Sequence, residues 1–94
     1  MTRAGTLDAA KACVCQNRQE QYGPVENNFA VIADLWTTYI SAKHDTEFYI
    51  TADDVAIMLA QMKIARIATG TFKEDSFVDA CGYIACAAEL AKGE

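Results

Sequence analysis

The chain has 94 residues, of which 52% are apolar and 22% are charged, and its formal net charge at pH 7 is −5. This length, with one proline and no low-complexity segment, predicts a single domain over residues 1–94 and argues against disorder. The acidic balance argues against a binder of nucleic acid polymers, which normally displays a basic surface. It leaves open a small anionic ligand that a few local cations hold.

No segment of the sequence predicts export or membrane insertion. The N-terminal residues are too few and too polar to precede a signal-peptide core, and no apolar run approaches the length of a bilayer span. We therefore expect a cytoplasmic protein without a membrane partner. The cysteine spacings match neither common zinc pattern, so we interpret the four thiols as reduced core residues and expect no metal site. These residues are Cys13, Cys15, Cys81 and Cys86.

The first predicted helix covers residues 6–20. Val14 and Arg18 lie on one side of it at helical spacing, so a guanidinium continues the apolar seam. The Gly-Pro pair at positions 23 and 24 ends the helix and places Tyr22 in the corner beside Arg18. Arg18 is then either a ligand-binding cation or a surface partner of Glu20 or Glu26.

The second predicted helix begins at residue 24 or 25 and ends near residue 41. Five of its residues recur at helical spacing and predict a core face: Phe29, Ile32, Ala33, Trp36 and Ile40. Asn28 stands in the first turns, where its amide either caps the helix locally or reaches a ligand at the Tyr22 corner.

The third predicted helix, over residues 51–70, is the central one. Thr51 is the expected N-cap and Gly70 the expected stop. Arg66 continues a stripe formed by Val55, Leu59 and Met62, while Ile57, Ala60, Ile64 and Ile67 form a second stripe on the other side. A helix that is apolar on two sides is central either in a domain or in an oligomer, so we expect a homo-oligomer.

The fourth predicted helix covers residues 77–92. Its expected core face consists of Phe77, Cys81, Ile84 and Ala88. Asp79 and Tyr83 are neighbours on the other side, four residues apart. Gly82 is costly inside a helix and predicts the close approach of another helix or of a ligand. The whole pattern predicts an all-α fold, a compact bundle of about four helices assembled as a homo-oligomer.

Several strings resemble a family of short phage and prophage proteins of unknown function. They are RQEQYG (18–23), NFAVIADLW (28–36), DVAIMLAQMKIARIATG (54–70), KED (73–75) and DACGYIACAAE (79–89). The resemblance covers residues 9–89. It implies a phage-encoded, all-helical protein and brings no established activity with it.

A more distant likeness is to the MazG-like all-α nucleotide pyrophosphohydrolases, which oligomerise and enclose a nucleotide between helices. That resemblance implies a Glu-x-x-Glu pair on one helix and a Glu-x-x-Asp pair on the next, which hold magnesium for phosphoanhydride hydrolysis. This chain departs from the pattern, because Phe29 stands three residues after Glu26, and no acid stands three residues after Asp53 or Asp54. The cations and aromatics that remain bind a nucleotide more readily than they cleave one.

We therefore predict non-catalytic binding of a nucleotide-derived small molecule, with no cofactor. The predicted ligand-binding residues are Arg18, Tyr22, Asn28, Lys63, Arg66, Asp79 and Tyr83. By analogy with other small phage proteins, the ligand would be a host immune signalling nucleotide, sequestered in the cytoplasm of an infected bacterium.

Two alternatives stay open at this point. The first is a divergent pyrophosphohydrolase that holds magnesium with acids drawn from Glu20, Glu26, Asp54 and Asp79. The second is a helical protein that inhibits a host protein through an exposed apolar face, with the arginines serving only in salt bridges. For Arg66 alone, a further interpretation is a pair with a buried carboxylate such as Asp79, in place of a ligand.

Overall fold

The computed structural model describes residues 1–17 and 25–92. In these ranges the chain forms four α-helices, α1 (Arg3–Ala12), α2 (Val25–His44), α3 (Ala52–Thr69) and α4 (Glu74–Ala91), and a π-helical segment, Cys13–Asn17, that follows α1 directly. The described residues contain no strand. The prediction of an all-α fold of about four helices is therefore confirmed. None of these helices is both long enough and apolar enough to cross a bilayer.

Helix α1 begins three residues earlier than predicted because Thr2 caps it. The Gly5 amide donates to Thr2 Oγ1 at 2.9 Å, and this satisfies one of the N–H groups that every helix start leaves without an intrahelical partner. The last predicted turn of this helix, residues 18–20, and the corner predicted at residues 21–24 lie outside the described residues.

Helix α2 buries the face that its sequence predicts. Two of its residues are buried and two more pack against the same core cluster: Phe29, Ala33, Ile32 and Trp36. The segment before α3 is tied back to α2, because the Ile50 amide donates to Thr37 Oγ1 at 2.9 Å and that hydroxyl donates to the Ile50 carbonyl at 3.2 Å. The C-terminal half of α2 therefore lies beside the start of α3.

Helix α3 begins and ends where the sequence predicts. The Thr51 amide donates to the Asp54 carboxylate at 3.1 Å, as in a capping box. At the other end the Gly70 amide donates to the Arg66 carbonyl at 3.0 Å. Gly70 has an extended φ of −109°, and a Cβ atom there would lie 3.0 Å from the Arg66 carbonyl oxygen. Lack of space, and not a left-handed backbone, therefore favours glycine at this position.

Helices α3 and α4 form an antiparallel hairpin joined by residues 70–73. They pack against each other more extensively than any other pair of helices in the described part of the chain. Helix α4 begins at Glu74 and not at the predicted residue 77, because Lys73 is extended (φ −141°) and acts as the N-cap residue. Glu74 and Asp75 then place negative charge in the first turn, where the helix dipole favours it.

The prediction of which side of α4 faces the core is wrong. Val78, Gly82 and Ala87 are buried, whereas Phe77 and Ile84 are 39% and 48% exposed. Helix α4 contacts α1 and the π-helical segment as well as α3, and three further residues pack against the core cluster that α2 completes: Tyr83, Cys86 and Leu90. Helix α4 is apolar nearly all round, so the positions of α1, α2, α3 and the π-helical segment determine which of its sides are buried.

Gly82 lies where the π-helical segment crosses α4. A Cβ atom at this position would lie 2.9 Å from Val14 Cγ1, which is closer than the roughly 3.5–4.0 Å at which carbon atoms pack. The prediction that Gly82 marks the close approach of another helix is therefore confirmed.

Candidate functional site

The structure places most of the predicted ligand-binding residues on the α3–α4 hairpin. Lys63 and Arg66 belong to α3, and Asp79 and Tyr83 belong to α4. Asn28, in the first turns of α2, is half-buried. The other two predicted residues, Arg18 and Tyr22, lie outside the described residues.

Lys63 and Asp79 form an ion pair across the hairpin. Lys63 Nζ lies 2.8 Å from Asp79 Oδ2, and the two side chains are 15% and 34% exposed. A charge-assisted contact of this length is strong, and partial burial shields it from solvent. Each group therefore has its first partner within the protein, and a ligand would meet the remaining ammonium hydrogens and carboxylate lone pairs.

Tyr83 lies one helical turn beyond Asp79, at the point where α4 meets α2. Its ring centroid is 6.3 Å from that of Phe29, with the rings tilted by 41°. Tyr83 also packs against the core cluster around Phe29 and is half-buried. Its ring therefore serves the packing of α4 on α2, and a role toward a ligand rests on its phenolic hydroxyl.

Arg66 lines a separate cleft at the tip of the hairpin. The cleft has a volume of about 250 Å³ and is formed by the end of α3, the connector and the first turn of α4. Its lining residues are Arg66, Thr69, Gly70, Thr71, Lys73 and Ser76. Two cationic residues and three hydroxyl-bearing residues line this cleft, and no acidic residue does.

The alternative in which Arg66 pairs with Asp79 is wrong, because the partner of Asp79 is Lys63. Arg66 is exposed and forms no ion pair with any of the described residues. Lys73 and Ser76 were missed in the sequence prediction. The short connector between two helices was the available signal, since residues that flank such a turn lie close together in space.

The Arg66 cleft and the Lys63–Asp79 pair are adjacent. Arg66 follows Lys63 by three residues in α3, and Ser76 precedes Asp79 by three in α4, so each step is one helical turn on the same side of its helix. Along the hairpin, the Arg66 cleft is thus followed by the Lys63–Asp79 pair and then by Tyr83, and we call this row the polar strip.

A larger and more open concavity, of about 630 Å³, lies between the end of α2 and the loop that follows it. Asp45 and Glu47 are the charged residues in its lining. Because two carboxylates repel an anion, this concavity fits the predicted class of ligand less well than the cleft at Arg66.

The acids that the enzyme alternative requires have other partners or are not described. Asp54 caps α3 and Asp79 pairs with Lys63, while the side chains of Glu20 and Glu26 lie outside the described residues. In the part of the chain that the structure describes, no three or more His, Cys, Asp or Glu side chains are grouped so that they could hold a metal ion.

The fold and this site define a small all-α protein with a cation-lined cleft at the tip of a helical hairpin. The chain belongs to the family described as a domain of unknown function, DUF6378, whose sequence profile matches residues 5–91.

Two curated relatives are phage proteins. The Gene 55 protein of Mycobacterium phage L5 is 36% identical over 77 residues, which cover 82% of this chain and 46% of the relative. The Gene 55 protein of Mycobacterium phage D29 is 34% identical over 80 residues, which cover 85% of this chain and 49% of the relative. The chain thus spans about half the length of these relatives.

No solved structure matches the chain. The resemblance to short phage proteins of unknown function is confirmed by the family and by both relatives. The more distant likeness to the MazG-like pyrophosphohydrolases stays a prediction from the sequence.

Proposed function

We propose that this protein binds a nucleotide-derived anion without cleaving it, and that a phosphate group of the ligand occupies the Arg66 cleft. The observation that supports the proposal is the composition of that cleft. Arg66 and Lys73 line it together with three hydroxyl-bearing residues and no acidic residue, on a chain whose net charge is −5. Such a local concentration of cations on an acidic protein favours an anionic ligand.

The groups in the cleft suit phosphate chemically. A guanidinium can donate two parallel hydrogen bonds to phosphate oxygens, and an ammonium adds a compact point charge. The hydroxyl groups of Thr71 and Ser76 can donate further hydrogen bonds, whereas the Thr69 hydroxyl already donates to the Ala65 carbonyl. The volume of about 250 Å³ is below the 300 Å³ or so of a pocket that encloses a whole drug-sized ligand. The cleft therefore fits one part of a larger molecule.

The remainder of the ligand would lie along the polar strip of the hairpin. From the first residue of α4, Glu74, to Tyr83 the helix rises by about 14 Å at ~1.5 Å per residue. The free ammonium hydrogens of Lys63 suit a second phosphate, and the Asp79 carboxylate suits a ribose hydroxyl. Phosphate, ribose and base together need such a length, and this favours a nucleotide over inorganic phosphate.

Binding without cleavage is supported by the departure of the sequence from the magnesium motif of the MazG-like enzymes and by the engagement of Asp54 and Asp79 elsewhere. We further propose, by analogy with phage proteins that act as sponges, that the ligand is a host immune signalling nucleotide. The protein would then work as a homo-oligomer in the cytoplasm of an infected cell.

Calorimetric titration tests the proposal. The probes are ADP-ribose, cyclic dinucleotides, nucleoside triphosphates and inorganic pyrophosphate. Mass spectrometry of small molecules released from protein purified out of phage-challenged cells identifies the natural ligand class. Arg66→Ala should weaken binding by about 10- to 150-fold, since a hydrogen bond to a charged group contributes about 1.5–3 kcal/mol. Its circular dichroism should not change, because Arg66 is exposed.

Lys43→Ala is the matched control. Lys43 is an exposed cation in the last turn of α2, and that end of α2 lies beside the start of α3, whereas the cleft lies at the end of α3. Both variants lower the net charge equally, so only a contact within the cleft separates them. Equal losses of affinity in the two variants would show a non-specific charge effect and would contradict the proposed site.

A further inference from the structure

The α3–α4 hairpin exposes a second, apolar surface, which we call its outer face. It consists of Ile57 and Ile64 from α3 and Phe77 and Ile84 from α4, which are between 39% and 54% exposed. Ile57 and Ile84 line a common groove of about 250 Å³ together with three alanines, Ala87, Ala88 and Ala91. Small side chains between larger ones let the backbone of another helix approach closely.

The folded chain also exposes more surface than a protein of its size needs. Its accessible area is 6609 Å² at a mass of 10.2 kDa, whereas the usual scaling for monomers gives about 5300 Å². The excess of about 1300 Å² exceeds the roughly 800 Å² that each partner buries in a standard interface. The surface that a stable dimer requires is therefore available on this chain.

The core formed by the described residues is small. Five of the eight buried apolar residues in the described part are alanines, and the largest fully buried side chains are Phe29 and Val55. Most of the larger apolar side chains are only partly buried or exposed. A chain with so small a core gains stability by covering apolar surface on a partner.

We propose that a second copy of this chain covers the outer face, so that hairpin packs against hairpin about a two-fold axis. The exposed apolar surface destabilises the folded chain on its own, so its partner has to be present wherever the chain folds. A second copy of the chain always meets that condition. Charge agrees with this choice, because two copies of an acidic chain repel each other least where charge is scarce. Asp53 is the one charged residue in the groove lining, and its carboxylate accepts a hydrogen bond from the Thr51 hydroxyl of its own helix cap.

A second exposed stripe, Val31, Leu35 and Tyr39 on α2, is the competing surface. It belongs to a single helix, whereas the outer face offers two helices and the groove between them, into which the ridge of a partner helix can fit. The proposal names the surface through which the proposed homo-oligomer forms, and it does not depend on which ligand the Arg66 cleft binds.

Light scattering after gel filtration, on ligand-free protein at 20 and 200 µM, tests the proposal. The wild-type chain should have the mass of at least two copies of 10.2 kDa. Ile84→Glu should lower that mass and raise the dissociation constant by about 100-fold or more, because each copy would bury a carboxylate without a partner. Leu35→Glu is the matched control on α2, and its mass should equal that of the wild type.

Circular dichroism verifies that the variants fold. If Ile84→Glu does not fold, Ile57→Glu tests the same groove in its place. A monomeric wild-type chain at 200 µM would overturn the proposal, and so would dissociation by Leu35→Glu with the Ile84→Glu assembly intact. A stable complex of one copy with a different protein, co-purified from the host in place of the homodimer, would also overturn it. None of these outcomes concerns phosphate binding at Arg66, which the titration measures separately.

Discussion

Substitution of Gly82 by alanine tests how the N-terminal part of the chain packs on α4. Two effects of opposite sign compete. Alanine in a helix interior is favoured over glycine by about 1 kcal/mol. The new Cβ atom, however, would lie 2.9 Å from Val14 Cγ1, so a methyl group would have to move by about 0.6–1 Å to restore normal contact.

The cost of that movement decides whether Gly82→Ala raises or lowers the free energy of unfolding. Valine is stiff about χ1, so its methyl group cannot rotate away freely, and overpacking typically costs about 1–3 kcal/mol. The net expectation for Gly82→Ala is a loss of about 1 kcal/mol in the free energy of unfolding. For a chain of this length, that corresponds to a fall of about 4–8 °C in the melting temperature.

Urea denaturation, with every protein at the same protein concentration, measures the change in the free energy of unfolding. The four proteins compared are the wild type, Gly82→Ala, Val14→Ala and the double variant. In the Val14→Ala background the clashing methyl group is absent, so Gly82→Ala should stabilise by about 1 kcal/mol. The expected coupling energy is therefore about 2 kcal/mol. Ala85→Gly, at an exposed position of the same helix outside the outer-face groove, calibrates the propensity effect alone. Stabilisation by Gly82→Ala in the wild-type background would refute the packing of Val14 on Gly82.

Two further predictions concern the polar strip and catalysis. Asp79→Asn should lower the free energy of unfolding by only about 1 kcal/mol, because the Lys63–Asp79 pair is partly and not fully buried. The same change should weaken ligand binding. Asp34→Asn, at an exposed position of α2, is the control and should change neither the stability nor the affinity. Unchanged affinity in Asp79→Asn would remove Asp79 from the site. Ligand affinity should persist in excess chelator, and magnesium should bring no hydrolysis of nucleoside triphosphates, as followed by phosphate release. Multiple turnover that Asp79→Asn or Glu26→Gln abolishes would restore the enzyme alternative.

Much of the fold could be predicted because the relevant signals are local. Thr51 and Asp54 stand three residues apart, as a capping box requires, and the start of α3 follows from that spacing. The buried face of α2 was also predicted correctly, since its aromatic and aliphatic residues recur at helical spacing. The close approach at Gly82 could be predicted because glycine destabilises a helix interior, so its presence there indicates that a larger side chain would not fit.

The candidate site could be predicted only in part. Arg66 was found because its cation stands in line with apolar residues, and Asp79 and Tyr83 were found as neighbours on one helix. Sequence spacing gave no sign that Lys63 and Asp79 pair with each other, because they are sixteen positions apart and lie on helices joined by a turn. Lys73 was missed for the same reason, since the connector determines which residues flank the cleft.

The amino-acid sequence alone therefore determined the class of fold, the presence of the four helices and both ends of α3, because hydrogen bonds and side chains within a few residues of each other control these features. The tertiary structure decided which sides of α4 are buried. Phe77 and Val78 are consecutive apolar residues on different sides of one helix, yet one is 39% exposed and the other 4%. Their periodicity could not distinguish them, since a helix that is apolar nearly all round buries whichever side its neighbours cover.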